Sequence, residues 1–377
     1  MIFGIPREIT EQETRVGAMP FLAKELIRRG HEVLVETGAG EFCDAGDPDY
    51  EQVGATIVPS AEKLYANAET ILKVREPKPV EYDLIRPDQN IFAFFHFLNN
   101  AERVKAIASR GCTCLAYEYV RNDHGEHVLM LPISRITGQL AIINGAYFLQ
   151  SHSGGKGVLM GRVTGSSPAN VLIIGAGNVG KFAAITAAKM GANVTILDTD
   201  YNRLHELDLL GYNNLTSIVS SDEIIRKLLP KNDLVVTCIQ KPFHPTPRVI
   251  TKDMIRTMKK GSVIVEVDID FGGSVETGKE LNPLSPTMVV DGVVHYCVSN
   301  ISAGVPRVAS EALSAALMPF IREIAETGFE EAILKNPVIK SGIAIYKGHV
   351  IKPYLAELSQ LPLSDLDQKV AELTPNE

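Results

Sequence analysis

The sequence predicts an α/β protein of two doubly wound, parallel-sheet (Rossmann-like) domains separated by a cleft. Three observations predict it. Short apolar runs alternate with stretches of helical spacing from the first residues onward. The rhythm restarts after one long helix and a glycine-rich connector, and at the restart a glycine turn is set between an apolar run and an Ala-rich helix. At 377 residues the chain also exceeds the size at which one core usually stops growing, so two domains are expected.

In the first half, strands are expected at Phe3 to Ile5, Glu32 to Val35, Ala55 to Val58, Thr70 to Val74, Ile91 to Phe95 and Thr113 to Tyr117. Phe21 to Arg29 and Ala101 to Ser109 place apolar residues at helical spacing between them. Strands this apolar, separated by helices, belong to a parallel sheet covered on both faces. A long helix from about Ser134 to Ser151 and the connector SGGKGVLMGRVTG then lead to new strands. These are Val171 to Ile174, Val194 to Leu197, Leu234 to Cys238, Val263 to Val267 and Val293 to Cys297, followed by helices at Ser310 to Glu326 and Leu363 to Leu373.

Composition excludes several classes of function. The 37 basic and 45 acidic residues give a net charge of -8, which offers phosphate backbones and anionic lipid no excess attraction. No stretch approaches the ~20 apolar residues of a membrane span, and the N-terminus has no signal-peptide pattern. The five cysteines are scattered, without a C-x-x-C pair, which indicates neither zinc nor a disulfide framework and suits a reducing compartment. The reading is a cytoplasmic protein without nucleic-acid or membrane partners.

The turn GAGNVG runs from Gly175 to Gly180 directly after the Val171 to Ile174 strand. Gly175 permits the tight turn, Gly177 lets the backbone approach a pyrophosphate, and Gly180 lets the helix sit close to the sheet. The phosphate then lies at the helix N-terminus. The next strand ends in Asp198, about twenty residues on, where a carboxylate accepts from the ribose hydroxyls of NAD. Asp198 would repel a 2′-phosphate, although Arg203 just beyond it could accommodate one, so the strictness of NAD over NADP stays open.

Ligands of open α/β sheets sit at the carboxyl ends of strands. Arg15, Arg75, His96 and Glu118 follow or end strands in the first half, and Asp270 and Asn300 do so in the second. Paired guanidinium groups suit a substrate carboxylate, while either arginine alone is equally an ordinary ion pair. An imidazole can pass a proton near neutral pH, although a lone His among Phe residues is more often a core histidine. Asp270, before Gly272 and Gly273, is either aimed by the bend or simply turn-forming. Glu266, Asp268 and Asp270 alternate and would share a face if the strand extends that far. No metal site is expected from them.

These residues bear a specific resemblance. GIPREI with Arg15-Val16, RRGHEVLVETGAGE, LKVREP, the His96 segment, GGKGVLMG, GAGNVG with ILD, IDFGG and VHYCVSNISAGVP are similar, nearly end to end, to the alanine dehydrogenase family. That family also includes the NAD-binding subunit of proton-translocating transhydrogenase. The resemblance implies a discontinuous substrate-binding domain over residues 1–128 plus 306–377 and an NAD-binding Rossmann domain over 129–305. It implies carboxylate binding at Arg15 and acid/base roles for His96 and Asp270. Ser134, Asn178, Val179, Asp198, Arg203, Ser220, Ile239, Gln240, Val267, Val298, Asn300 and Ile301 fall where the family contacts NAD. A homo-oligomer, usually a hexamer, is implied too.

The implied reaction is reversible NAD-dependent oxidative deamination of L-alanine to pyruvate and ammonium, with Arg15 and Arg75 clamping the carboxylate. Several positions depart from the family pattern: Arg75 replaces a lysine, Phe271 a glutamine and Asp268 a small residue, and the loop IQKPFHPTP around Pro242 differs. Arginine keeps the charge but cannot give up a proton at neutral pH. These departures motivate a second expectation, a dehydrogenase or imine reductase of another amino acid or an N-alkyl amino acid. A third is a non-catalytic NAD-binding subunit of transhydrogenase type.

Overall fold

The structure is a computed structural model that describes residues 1–97, 100–240 and 246–373; Pro242 of the divergent loop lies outside the described residues. The chain divides into two compact units, Met1–Ile133 with Ala303–Glu377, and Ser134–Ser302.

The first unit contains β1 (Ile2–Ile5), β2 (Glu32–Glu36), β3 (Thr56–Val58), β4 (Thr70–Arg75), β5 (Asn90–Phe94) and β6 (Thr113–Ala116). The second contains β7 (Asn170–Ile174), β8 (Asn193–Asp198), β9 (Leu215–Val219), β10 (Leu234–Thr237), β11 (Val263–Glu266), β12 (Thr287–Val290) and β13 (Val293–Tyr296). The chain then returns to the first unit, adding β14 (Ile343–Tyr346) and β15 (His349–Val350).

Both sheets have the same doubly wound core. The first runs β15-β14-β6-β5-β4-β1-β2-β3, parallel except where β14 pairs antiparallel with β6 and with β15. The second runs β12-β13-β11-β10-β7-β8-β9, parallel except for the antiparallel edge strand β12. Strand order therefore reverses between β1 and β4 in one unit and between β7 and β10 in the other. Chains leaving those strand pairs diverge to opposite faces and open a crevice at their carboxyl ends.

The apolar runs make both sheet faces core. In β7, Val171 and Ile173 join one buried cluster while Leu172 and Ile174 join the cluster on the opposite face. In β10, Leu234 and Val236 face one way and Val235 the other. This two-sided burial is why the second-unit strands read as continuous apolar runs.

Segments without that pattern were not anticipated from sequence. β9 is Leu215–Val219, with a burial pattern that alternates only weakly, β12 and β15 are short edge strands, and β14 is a four-residue strand between β15 and β6. The long helix spans Met130–Phe148, starting four residues before its expected position and ending three before it. The expected shared face of Glu266, Asp268 and Asp270 does not form, because β11 ends at Glu266 and a 3-10 turn occupies Ile269–Phe271.

Candidate active site

In the second unit the glycine turn follows β7 and opens the helix Asn178–Lys189. Gly175 sits at φ 107, in the left-handed region that favours glycine, and a Cβ there would lie 2.2 Å from the Cys238 carbonyl oxygen. At Gly180 a Cβ would lie 1.8 Å from the Gly175 carbonyl oxygen, so turn and helix close only around a hydrogen atom. Gly177 is different: its nearest neighbour for a Cβ is Arg203 Nη1 at 3.8 Å, leaving open space over the helix N-terminus. That open cradle fits a pyrophosphate, as helix N-termini do.

A cleft of about 650 Å³ lies there. Gly175, Gly177, Asp198, Arg203, Ser220, Ile239 and Gln240 all line it. The Asp198 carboxylate accepts from the Ala176 N–H at 2.6 Å and the Asp200 N–H at 2.8 Å. It therefore fixes the glycine turn while standing at the cleft wall. Arg203 lies 3.9 Å from Asp198 and 3.5 Å from Asp200, its charge offset by both. Asn178, Val179 and Gly180 form the first turn of the helix, behind the lining. Ser134 is buried on the long helix, and Val267, Val298, Asn300 and Ile301 follow β11 and β13, outside this lining. Asn300 has φ 52, a left-handed conformation uncommon for a side-chain-bearing residue.

Asp270 is exposed on its 3-10 turn, and Gly272 at φ 94 and Gly273 at φ 71 turn the chain back. Buried Glu266 anchors this return: its carboxylate accepts from the Val275 N–H at 2.8 Å and from the Ser274 N–H.

In the first unit the groups at the strand ends are tied into networks of ion pairs and hydrogen bonds. Arg15, only 3% exposed, donates Nε to Glu13 Oε1 at 2.8 Å and Nη2 to Oε2 at 2.6 Å, a bidentate pair between neighbours two apart. Arg75 closes β4, and its Nε lies 3.3 Å from Glu76 Oε2 yet makes no hydrogen bond among the described residues. The backbone there bulges, and Glu8 Oε1 accepts from Val74 N at 2.6 Å and Arg75 N at 3.2 Å. Lys73 precedes Arg75 by two residues within this irregular stretch of β4. It is fully buried between Glu8 at 3.2 Å and Glu81 at 2.9 Å, which makes it a structural cation and no substitute for a lysine at position 75.

Glu76 is the residue that sequence reasoning missed. Its carboxylate, 2% exposed, meets Arg75, Lys78 at 2.9 Å, Arg103 at 3.3 Å and His96 Nδ1 at 3.1 Å. Burial opposes its ionisation, but the His96 hydrogen bond and the charges of His96, Arg75 and Arg103 outweigh burial and hold the carboxyl well below the usual range. His96 Nδ1 also lies 3.0 Å from the Phe94 carbonyl. Both neighbours of Nδ1 are acceptors, so Nδ1 carries the proton and proton exchange falls to Nε2.

The His96 backbone is held as firmly. At φ 47 it is in the left-handed region. Glu118 accepts from the His96 N–H at 2.8 Å and the Phe95 N–H at 3.1 Å, while Arg103 Nη1 donates to the Phe95 and His96 carbonyls at 3.1 and 2.7 Å. Burial pushes the Glu118 carboxyl up, and the His96 charge and these N–H donors pull it back. A sequence signal existed for both acids, each being a charged residue at the end of an apolar strand.

A doubly wound dinucleotide cleft with an acidic strand end in the second unit, and an anchored histidine among arginines in the first, define an NAD-dependent dehydrogenase. The chain belongs to the alanine dehydrogenase/PNT family: residues 4–137 match its N-terminal domain and residues 141–353 its C-terminal domain. It is 37% identical to an alanine dehydrogenase of Halomonas elongata over 357 residues, covering 95% of this chain and 96% of that one. Among solved structures it is similar to an L-alanine dehydrogenase, with a TM-score of 0.90 and 35% identity over 96% of this chain and all of that one. A transhydrogenase from Sinorhizobium meliloti matches with a TM-score of 0.80 and 26% identity over 94% of this chain and 99% of that one. Among the described residues no helix is long and apolar enough to cross a membrane.

Proposed function

We propose that the protein catalyses reversible oxidative deamination of L-alanine to pyruvate and ammonium. The observation that carries this reading is the histidine at the end of β5. A core histidine needs no carboxylate in a ring of cations, no left-handed backbone and no clamped carbonyls, whereas a proton-transferring histidine benefits from all three.

When bound, NAD supplies a hydride acceptor, C4 of its nicotinamide. Arg15 and Arg75 hold the substrate carboxylate. Glu13 holds Arg15 through its Nε and Nη2 and so fixes the plane of the guanidinium. The Arg75 Nε, buried 3.3 Å from Glu76 and without a hydrogen bond among the described residues, is a donor for the substrate carboxylate. His96 Nε2 moves protons to and from the amine and the attacking water, with Asp270 as the second acid/base group. Ser134, Asn178, Val179, Val267, Val298, Asn300 and Ile301 contact the parts of NAD beyond the cleft lining. NADH oxidation with pyruvate plus ammonium tests the reading; a folded protein that binds NADH but does not turn over this pair refutes it.

A second reading keeps the cofactor and changes the substrate to another amino acid or an N-alkyl amino acid. The specific support is Arg75, whose fixed fork is larger than a lysine and does not release a proton. A panel of keto acids with ammonium or primary amines separates the two; pyruvate with ammonium outperforming every other pair removes this one. Residues 1–128 plus 306–377 then serve as the substrate-binding domain and 129–305 as the NAD-binding domain.

The protein works as a homohexamer in the cytoplasm. Ile143 and Tyr147, half-exposed one turn apart on the Met130–Phe148 helix, support burial against further copies, and the five unpaired cysteines suit a reducing compartment. Light scattering on the purified protein tests the assembly.

A further inference from the structure

Asp268 takes no part in the chemistry above, yet it is one of the most buried charged groups of the second unit, 7% exposed. Its Oδ2 accepts from the Ile239 N–H at 2.5 Å and from the Gln240 N–H at 2.9 Å. Ile239 and Gln240 line the dinucleotide cleft at the carboxyl end of β10. The Asp268 carbonyl accepts from the Phe271 N–H at 3.0 Å and the Gly273 N–H at 3.1 Å, closing the turn that carries Asp270. A single residue thus bonds two loops through its two ends.

We propose that Asp268 is a positioning residue for NAD, its carboxylate fastening the cofactor-facing turn after β10 to the turn that bears Asp270. Without it, two adjacent N–H groups at the cleft wall lose their acceptor and the turn loses its fixed distance from the glycine cradle. The neighbouring titratable groups are Glu266 on β11, Asp270 on the same turn and Cys238 at the end of β10. Burial pushes the Asp268 carboxyl up to about 7; the Gln240 and Ile239 N–H groups pull it down, and the charges of Asp270 and Glu266 push it up again. The strength of the clasp therefore changes across neutral pH, because an ionised acceptor holds an N–H more strongly than a neutral one.

The inference rests on NAD as cofactor and not on the identity of the amino acid. The test is NADH titration by fluorescence, without substrate, for the wild type, Asp268→Ala and Asp268→Asn from about pH 6 to about pH 8, with thermal melts alongside. Both N–H groups bond the same oxygen, so the amide oxygen of asparagine can replace it without a titrating group. Wild-type affinity is expected to tighten several-fold with rising pH, Asp268→Ala to bind about tenfold more weakly at the upper pH, and Asp268→Asn to stay within about threefold and show no pH dependence. Wild-type affinity that is flat with pH, an inflection that Asp268→Asn shares, or Asp268→Ala binding as the wild type does overturns the proposal. If Asp268→Ala does not fold, the pH comparison between wild type and Asp268→Asn decides alone. Inactivity toward pyruvate and ammonium with this NADH pattern intact would sink the alanine reading and leave the positioning role standing.

Discussion

Replacing the glycines of the dinucleotide turn by alanine separates folding from cofactor binding, because the structure assigns each glycine a different reason. At Gly180 a Cβ would lie 1.8 Å from one backbone oxygen and 3.0 Å from Cys238 Sγ. Ordinary carbon–oxygen contacts are near 3.3 Å, so helix and turn must part by roughly 1.5 Å, an overpacking cost of about 1–3 kcal/mol or more. At Gly177, φ is −67°, which any residue adopts, and a Cβ meets nothing closer than 3.8 Å. The lost backbone entropy of the unfolded chain would favour alanine by about 0.4–1 kcal/mol, roughly offsetting the ~0.5–1 kcal/mol by which alanine is the poorer helix cap. Gly177→Ala should therefore melt within a few degrees of the wild type while its new methyl fills the space a pyrophosphate occupies, weakening NADH by about a hundredfold or more. Gly180→Ala should lose both stability and affinity. Differential scanning fluorimetry with NADH fluorescence titration reads both quantities. Gly177→Ala binding NADH within about threefold of the wild type would refute the cradle reasoning.

Other outcomes follow from the first-unit network and from burial. Glu118→Gln leaves only a neutral acceptor for the Phe95 and His96 N–H groups that hold a left-handed residue, so urea denaturation should show about 1–3 kcal/mol less stability, with kcat falling and NADH affinity unchanged. Glu76→Gln removes the carboxylate that fixes the His96 tautomer, and kcat should fall by about 10² while the KM for NADH holds; equal losses in both would reject the positioning role. Arg75→Ala should raise the KM for pyruvate by about a hundredfold without moving NADH binding, and an unchanged KM would remove Arg75 from the carboxylate site. The Asp268 carboxyl, near 3.8 when unfolded and about 7 when folded, binds more protons in the native state between those values. Its stabilising contribution is complete below the unfolded value and is lost as pH rises through the folded one. Wild type should therefore lose up to about 4 kcal/mol relative to Asp268→Asn between about pH 4 and about pH 7, measured as urea midpoints; a constant difference would deny the shift.

Much of the fold was legible because two-sided burial writes a simple signal. Val171 to Ile174 and Leu234 to Thr237 are continuous apolar runs for the same reason that both faces of their sheet are core. β12 and β15 escaped notice because an edge strand pairs on one side only and needs no such run, and β14 because its four residues make too short a run to stand out between helices. The glycine turn was readable at each position since backbone clearance depends on a side chain of a single residue. Glu76 and Glu118 were not readable in their roles, because a carboxylate at a strand end gives no sign of what will surround it.

By itself the sequence determined the two parallel sheets, the dinucleotide turn with its acid at Asp198, and the set of charged residues at strand ends, all of them local patterns of a few residues. Tertiary structure alone decided how those charges pair: Lys73 with Glu8 and Glu81, Arg15 with Glu13, His96 with Glu76, Asp268 with the turn at Ile239. The physical reason is that a charge leaving water must find partners within hydrogen-bond reach, and for most of these groups that reach is set by strand order and by bends in the chain.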